Sequence, residues 1–486
     1  MNRRDLLRYG LVGTSLLHGA MKQDFESRED TSGRIARNSG HVRILEVKHS
    51  FEDYKYRVPY QFGGRSVDRV TLLNVTVRVA SARGKEASGF GSMPLGNLWS
   101  FPSQVVSYDQ SLDAMKRLAA RIQPLLSEYR KHSHPIDIHW ELEPAYHQLA
   151  SQVSSEMRLA EPIPALCTLV TASPFDAAVH DAFGKVNSIN CYLGYGPAFM
   201  TNDLSHYIGE EFRGEYLDQY VLSAPKDSVF LYHSVGASDP ISDLEVHDRL
   251  NDGLPETLAE WIEKDAITHL KIKLNGADLK ADVERVVSIE KVTAEVQARR
   301  GIKKWKYCCD FNERCKDVDY LLAFLDAVKQ QTPVFLQRLQ YIEQPTARNL
   351  KLDRQNDMHK AAAIVPIVID ESLVDLESFH LSRQLGYSGV ALKVCKGQSN
   401  ALLMAAVAQK YKSFLCVQDL TCPGASLVHS VGLAAHLRDV STIEANSRQY
   451  VPSANRAWVD KFPTIFKVSR GQFETEALNG LGLGVV

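Results

Sequence analysis

Five short segments in the second half of the chain each combine charged side chains with a strand-like apolar run. They are Leu270-Lys271-Ile272-Lys273, Cys309-Asp310-Phe311-Asn312, Tyr341-Ile342-Glu343-Gln344-Pro345, Val368-Ile369-Asp370-Glu371-Ser372 and Val390-Ala391-Leu392-Lys393. The carboxylates Asp310, Glu343 and Asp370 are 33 and then 27 residues apart. That is about one βα unit each, so in a parallel barrel they would end neighbouring strands and converge. Three converging carboxylates make a hard, oxygen-only site suited to Mg²⁺, or to Mn²⁺ in its place. Lysines on either side of such a metal are the parts needed to move a proton on a carbon acid.

The elements that must position these groups fit an ordinary globular chain. Its 486 residues are 44% hydrophobic and 23% charged, enough for a large core and two domains. A net charge of −2 argues against general nucleic-acid binding, because no broad basic field exists. The basic run 299–306 precedes a predicted strand and reads as a solvated helix end and loop. The eight cysteines form no paired CxxC sets and read as buried free thiols. Cys309 adjoins Asp310, so on a strand it should face away from it.

The start, Met1-Asn2-Arg3-Arg4-Asp5-Leu6-Leu7-Arg8, is followed by a mildly apolar stretch to Leu17. It resembles a twin-arginine export signal, with an apolar region too brief for a stable membrane span. That reading implies a periplasmic or otherwise exported protein; a plain basic tail would leave it cytoplasmic. Residues 1–41 are polar and predicted to be a leader followed by disorder.

From His41 the pattern is strand-like at 42–47 and 70–79, with turns at Gly63-Gly64 and Arg83-Gly84. Helical periodicity follows at 108–131 and 146–160. Strands followed by helices in blocks predict an α+β domain over 42–165. Alternation is predicted from 166, with a strand at 166–170 and a helix through 177–185. Further strands are expected at 229–233, 268–274, 306–311, 339–343, 366–370, 389–394, 414–418 and 442–445. The stretch 166–455 has the length of one eight-stranded barrel, although the reading contains one strand too many. The glycine-containing tail within 456–486 is expected to pack back on the first domain.

These motifs, in this order and at βα spacing, resemble the enolase superfamily, in the branch of muconate lactonizing enzymes and mandelate racemase. The resemblance covers about 42–455 and includes the helix 177–185. It implies an α/β fold: a modified (β/α) TIM-type barrel with an N-terminal α+β capping domain. It also implies one Mg²⁺ at the barrel mouth, a small-molecule carboxylate substrate and a homo-oligomer. Two departures touch substrate contacts. Where relatives often carry Gly-Gly after the second catalytic lysine, this chain reads Lys396-Gly397-Gln398-Ser399. Where amino-acid-handling relatives often carry Asp-x-Asp, it reads Glu444-Ala445-Asn446, with Arg448 beyond.

Proton removal next to a carboxylate produces a dianionic enediolate, which a divalent cation stabilises. Asp310, Glu343 and Asp370 are the expected metal ligands, supported by Asn312. Lys271 and Lys273 point to the same side of a strand, and their mutual repulsion near a cation should depress a lysine pKa. Lys273 is then the base and Lys271 an electrostatic partner of the substrate carboxylate. Lys393 would act from the opposite face, with Lys396 its rival. Glu371 is expected to pair with a barrel lysine. Gln418, Asp419, Glu444 and Asn446 could bind substrate hydroxyls or an amine, or simply cap strand ends. The segments 54–65 and 89–99 are expected to be loops closing over the site.

Two bases on opposite faces permit racemisation or epimerisation. The same parts also suit a dehydratase or other β-elimination, or cycloisomerisation of a hydroxylated (sugar) acid. A non-catalytic exported binding protein is the remaining alternative.

Overall fold

The computed structural model of the chain describes residues 40–484. Three antiparallel strands open it: β1 (Val42–Phe62), β2 (Arg65–Ser81) and β3 (Glu86–Pro94), in that spatial order. In β2 the alternation is visible residue by residue. Val75, Val77 and Val79 are buried, while Thr76 and Arg78 face solvent. Gly63 and Gly64 join β1 to β2 with φ of 53° and 71°, the left-handed pair that a tight two-residue hairpin requires.

The hairpin overturns one expectation. Residues 54–62 are not a loop but the end of β1, paired with β2 through Tyr60–Val67 and Phe62–Arg65. Aromatic or β-branched residues at every second position, Tyr54, Tyr56, Val58, Tyr60 and Phe62, favour pairing over an open loop. Likewise 89–94 belong to β3, and only Asn97–Ser100 after it forms a helical turn.

Helices Tyr108–Ser127 and Pro135–Glu156 follow, the first closed by a Ser107/Gln110 capping box. The predicted strand at 166–170 is instead the first turn and a half of helix Ala165–Asn187, which also contains 177–185. Nearly every side chain of this helix is buried. Its apolar run therefore lacks the one-sided period that distinguishes a surface helix from a buried strand.

The sheet lies directly on this helix. A Cβ added at Gly91 would stand 2.1 Å from the Pro174 carbonyl oxygen, and one at Gly89 2.2 Å from that of Ala178. Gly91→Ala is therefore expected to cost about 3 kcal/mol or more, because backbone rather than a flexible side chain must yield. The check is the urea midpoint followed by circular dichroism; an unchanged midpoint would contradict this packing.

Eight parallel strands form the barrel: β4 (Ser228–Val235), β5 (His269–Lys273), β6 (Lys306–Asp310), β7 (Leu339–Glu343), β8 (Ile367–Ile369), β9 (Gly389–Leu392), β10 (Phe414–Gln418) and β11 (Thr442–Glu444). Pairing of β11 with β4 closes the ring, and β12 (Gln472–Glu474) runs antiparallel along the start of β4. All eight match predicted strands, so 166–170 was the surplus one.

Inside the ring, Tyr232, Cys308, Tyr341, Val368, Ala391 and Cys416 form a closed layer beneath the strand ends. Cys309 belongs to the other core, between strands and helices, so it faces away from Asp310 as expected. All eight cysteines are buried and free. The tail packs on helix Ala165–Asn187, where the Leu483 amide donates to Asp181 at 2.9 Å. The export-like leader lies outside the described residues. Among the described residues no helix is long and apolar enough to cross a membrane.

Candidate active site

Each charged segment ends or directly follows a barrel strand on the C-terminal side, the face where barrel active sites form. Strand register aligns Lys273 with Asp310 and Asp310 with Glu343. Asp370 and Lys393 are the first residues beyond β8 and β9. Counting around the eight strands, Lys273 is on the second and Lys393 follows the sixth. They approach the mouth from sides half a turn apart, with the three carboxylates on the arc between.

The groups are linked by buried ion pairs. The Lys271 Nζ lies 3.1 Å from Asp310, 2.9 Å from Glu343 and 3.7 Å from Glu444. Lys273 donates to Asp310. Asp370 meets Lys393 at 2.8 Å and Lys396 at 3.1 Å, and Lys396 also donates to the Asp370 main-chain oxygen at 2.6 Å.

These contacts set the direction in which each lysine is shifted when only protein groups surround it. Burial works against the charge of each lysine, but neighbouring carboxylates outweigh it. Glu343, Glu444 and Asp310 hold Lys271 well above its ordinary value; Asp310 does the same for Lys273, and Asp370 for Lys393. The two strand lysines do repel, but each meets more carboxylate than ammonium.

On the acid side, burial would raise Asp370, yet Lys393 and Lys396 hold it down to about 2. Glu343 is pushed well above the usual carboxylate range by burial and by the charge of Asp310. Burial and Asp370 raise Glu371 to about 7, while burial and Glu444 raise Asp419.

The site is therefore too rich in buried acid for its own lysines. Asp310, Glu343, Asp370, Glu371, Asp419 and Glu444 face Lys271, Lys273, Lys393 and Lys396, all of them buried. Acceptor oxygens on Asn312, Glu371, Gln418 and Asn446 are buried with no hydrogen-bond donor. An all-oxygen donor set with surplus negative charge and surplus acceptors fits a hard divalent cation. In the arrangement described, no three acidic, histidine or cysteine side chains stand as a ready-made ligand cluster among the described residues. The lysines lie between the carboxylates instead.

The supporting residues separate by role. Asn312 donates to Asp310 at 3.3 Å and to Glu371 at 3.1 Å. Glu371 does not pair with a barrel lysine as expected; Asn312 and the Trp99 indole, at 3.0 Å, hold it. Gln418 donates to Glu343, whereas Asp419 accepts the amides of Thr421 and Cys422 at 2.9 and 3.1 Å. Asp419 is thus partly committed to its own turn. Asn446 and Glu444 line the cleft.

That cleft has a volume of about 40 Å³, with Lys273 and Lys393 both on its wall. Tyr60, Phe62 and Trp99 cover it from the first domain. The Trp99 ring lies 4.6 Å from the Lys393 ammonium and the Phe62 ring 5.9 Å from that of Lys273, within cation–π range. A larger cavity of about 350 Å³ lies on the other face of β1, against Arg57, Pro59 and Gln61, and shares no lining residue with the cleft. Of the charged and polar site residues, Lys273, Asn312, Lys393, Asp419, Glu444 and Asn446 line the smaller space.

Trp99, Tyr60 and Phe62 were legible only as members of predicted loops. Strand parity at 60 and 62 was the one signal that could have paired them on a face.

Residues 253–486 match the family model described as Enolase C-terminal domain-like. Among solved structures, a muconate lactonizing enzyme from Pseudomonas fluorescens complexed with muconolactone superposes with a TM-score of 0.56. It is 16% identical, over 92% of this chain and 97% of that one. A dipeptide epimerase from Enterococcus faecalis V583, complexed with Mg and the dipeptide L-Leu-L-Tyr, gives a TM-score of 0.54. Its identity is 14%, over 84% of this chain and 91% of that one. An N-succinyl Arg/Lys racemase from Bacillus cereus ATCC 14579 gives 0.54 at 15% identity, over 83% and 87%. No curated protein matches the chain in sequence. The capped, closed parallel barrel is thus the fold of these neighbours, and its segment 253–486 is similar to the Enolase C-terminal domain-like family.

Proposed function

We propose that this chain is a Mg²⁺-dependent enzyme that removes a proton α to a carboxylate and racemises or epimerises a small carboxylate substrate. The observation that carries the proposal is the presence of Lys273 and Lys393 in one cleft, from strand ends half a barrel apart. Asp310, Glu343 and Asp370 would hold the ion, with Asn312 fixing the Asp310 carboxylate. Bound there, it supplies positive charge against the dianion that forms as the proton leaves.

The chain's own groups do the rest. Lys273 takes the α-proton on one face and Lys393 delivers one on the other, inverting the carbon; the roles reverse for the other enantiomer. Each lysine must be neutral to act as base. The carboxylates that keep it charged are those assigned to the ion, so occupancy and lysine deprotonation are linked. Lys271, beneath them, keeps positive charge near the substrate carboxylate. Tyr60, Phe62 and Trp99 exclude water, which strengthens these interactions.

The test is incubation of Mg²⁺-loaded protein in D₂O with hydroxy acids, sugar acids, amino acids and dipeptides, following α-protons by NMR. Exchange with inversion and an unchanged formula is the expected result. A keto acid or alkene product would replace isomerisation by elimination. Silence across the panel would count against turnover and favour a binding protein.

A further inference from the structure

A second cluster of buried charge lies outside the cleft, where helices Pro135–Glu156 and Ala165–Asn187 meet the segment after Lys393. At its centre is Asp176, side chain 4% exposed. Its Oδ2 accepts the Ser399 amide and its Oδ1 the Ser399 hydroxyl, both at 2.8 Å. His180 Nε2 is 3.4 Å away and His139 Nδ1 3.9 Å. On the other side of His139, Glu143 stands 3.3 Å from Nε2, and Glu143 in turn is 3.8 Å from His147. Burial opposes its charge, but His139 and His180 hold the Asp176 carboxyl well below the usual range, so it is an anion.

Ser399 lies in the first turn of helix Gln398–Lys410, where a carboxylate stabilises the unpaired amides. Immediately before it, Gly397 turns the chain at φ 105°, and Val394–Lys396 form a single 3₁₀ turn. The Lys396 amide donates to the Lys393 carbonyl at 3.0 Å. Lys393 is therefore joined to its strand on one side and to an anchored helix start on the other.

We propose that Asp176 is a positioning residue for Lys393: by holding Ser399 it fixes the turn that aims Lys393 and Lys396 at Asp370. The anchor comes from a helix of the N-terminal half, so it ties the geometry of one face of the cleft to the seating of that helix. This rests on the reading of Lys393 as the acid–base group of one face. Among the described residues the opposite face is built on the Lys273–Asp310 pair, with no direct hydrogen bond from Lys273 to Asp176 or Ser399, and should not sense the loss of Asp176.

The experiment compares full-length wild type with Asp176→Asn by hydrogen–deuterium exchange mass spectrometry and by α-proton exchange. Peptides covering 393–402 should exchange about tenfold faster in the variant, with the β1–β2 hairpin unchanged. Unchanged protection of 393–402, or loosening of the whole first domain, overturns the proposal. Ser399→Ala, which keeps the amide bond and loses the hydroxyl, should give a smaller change in the same peptides; no change there also overturns it. In activity, exchange through the Lys393 face should fall about tenfold while the Lys273 face stays within twofold, and an equal fall on both faces overturns it. If wild type exchanges no α-proton, the functional reading fails, and the peptide data alone judge the anchor.

Discussion

Lys393→Ala is expected to exchange the α-proton of one enantiomer with solvent deuterium while losing interconversion by about 10³-fold or more, the usual scale for removing a general acid or base. The asymmetry follows from position. Lys273 and its partner Asp310 lie on β5 and β6 and are untouched by the change, so proton removal on that face continues. Return of a proton to the other face lacks a donor. Folding should survive, because Asp370 keeps Lys396 at 3.1 Å and its buried charge stays paired. The measurement is deuterium incorporation into each pure enantiomer, with optical rotation followed in parallel. Normal racemisation by this variant would transfer the role to Lys396, also buried beside Asp370.

Glu343→Gln is expected to fail differently, losing exchange of both enantiomers together by at least about 10³-fold. The substitution keeps the shape and removes one negative charge at the centre of the arc. In the unsubstituted protein Glu343 accepts from Lys271 at 3.1 Å and from Gln418, both donors. An amide there must turn its NH₂ toward one of them, leaving a donor facing a donor in a fully buried site. Mg²⁺ titration by calorimetry should show weaker binding than in wild type. Chelation of wild type with EDTA should give the same two-faced loss, reversed by added Mg²⁺. Full activity in Glu343→Gln would remove Glu343 from the metal site. Comparing the two variants separates a face-specific group from one that serves both faces.

The residues that carry both predictions were readable before any fold was known. Lys271, Lys273, Asp310, Glu343, Asp370 and Lys393 stand at βα spacing at the ends of apolar runs, and the eight barrel strands fell where those runs predicted. Strand position and side-chain face depend on a two-residue period, which is local and survives in the linear chain. The same period placed Cys309 away from Asp310.

The misreadings share one cause. The run 166–170 is apolar on all sides, so its local pattern could not distinguish a buried helix from a strand; only burial against the sheet and barrel decided. Residues 54–62 look like a glycine-hinged loop until β2 is there to pair with them. The charge state of the lysines is a sum over neighbours: Lys271 and Glu343 are 72 residues apart, yet that contact helps to hold Lys271 above its ordinary value. Trp99 reaches Glu371 across 272 positions and Asp176 reaches Ser399 across 223.

By itself, then, the sequence determined the chemical parts and the strands that carry them, because type, spacing and periodicity are properties of neighbours along the chain. Which acid meets which lysine, what covers the cleft and what anchors Lys393 were decided only by the tertiary structure. Coulomb interactions and packing depend on distance in space, and folding sets that distance independently of separation in sequence.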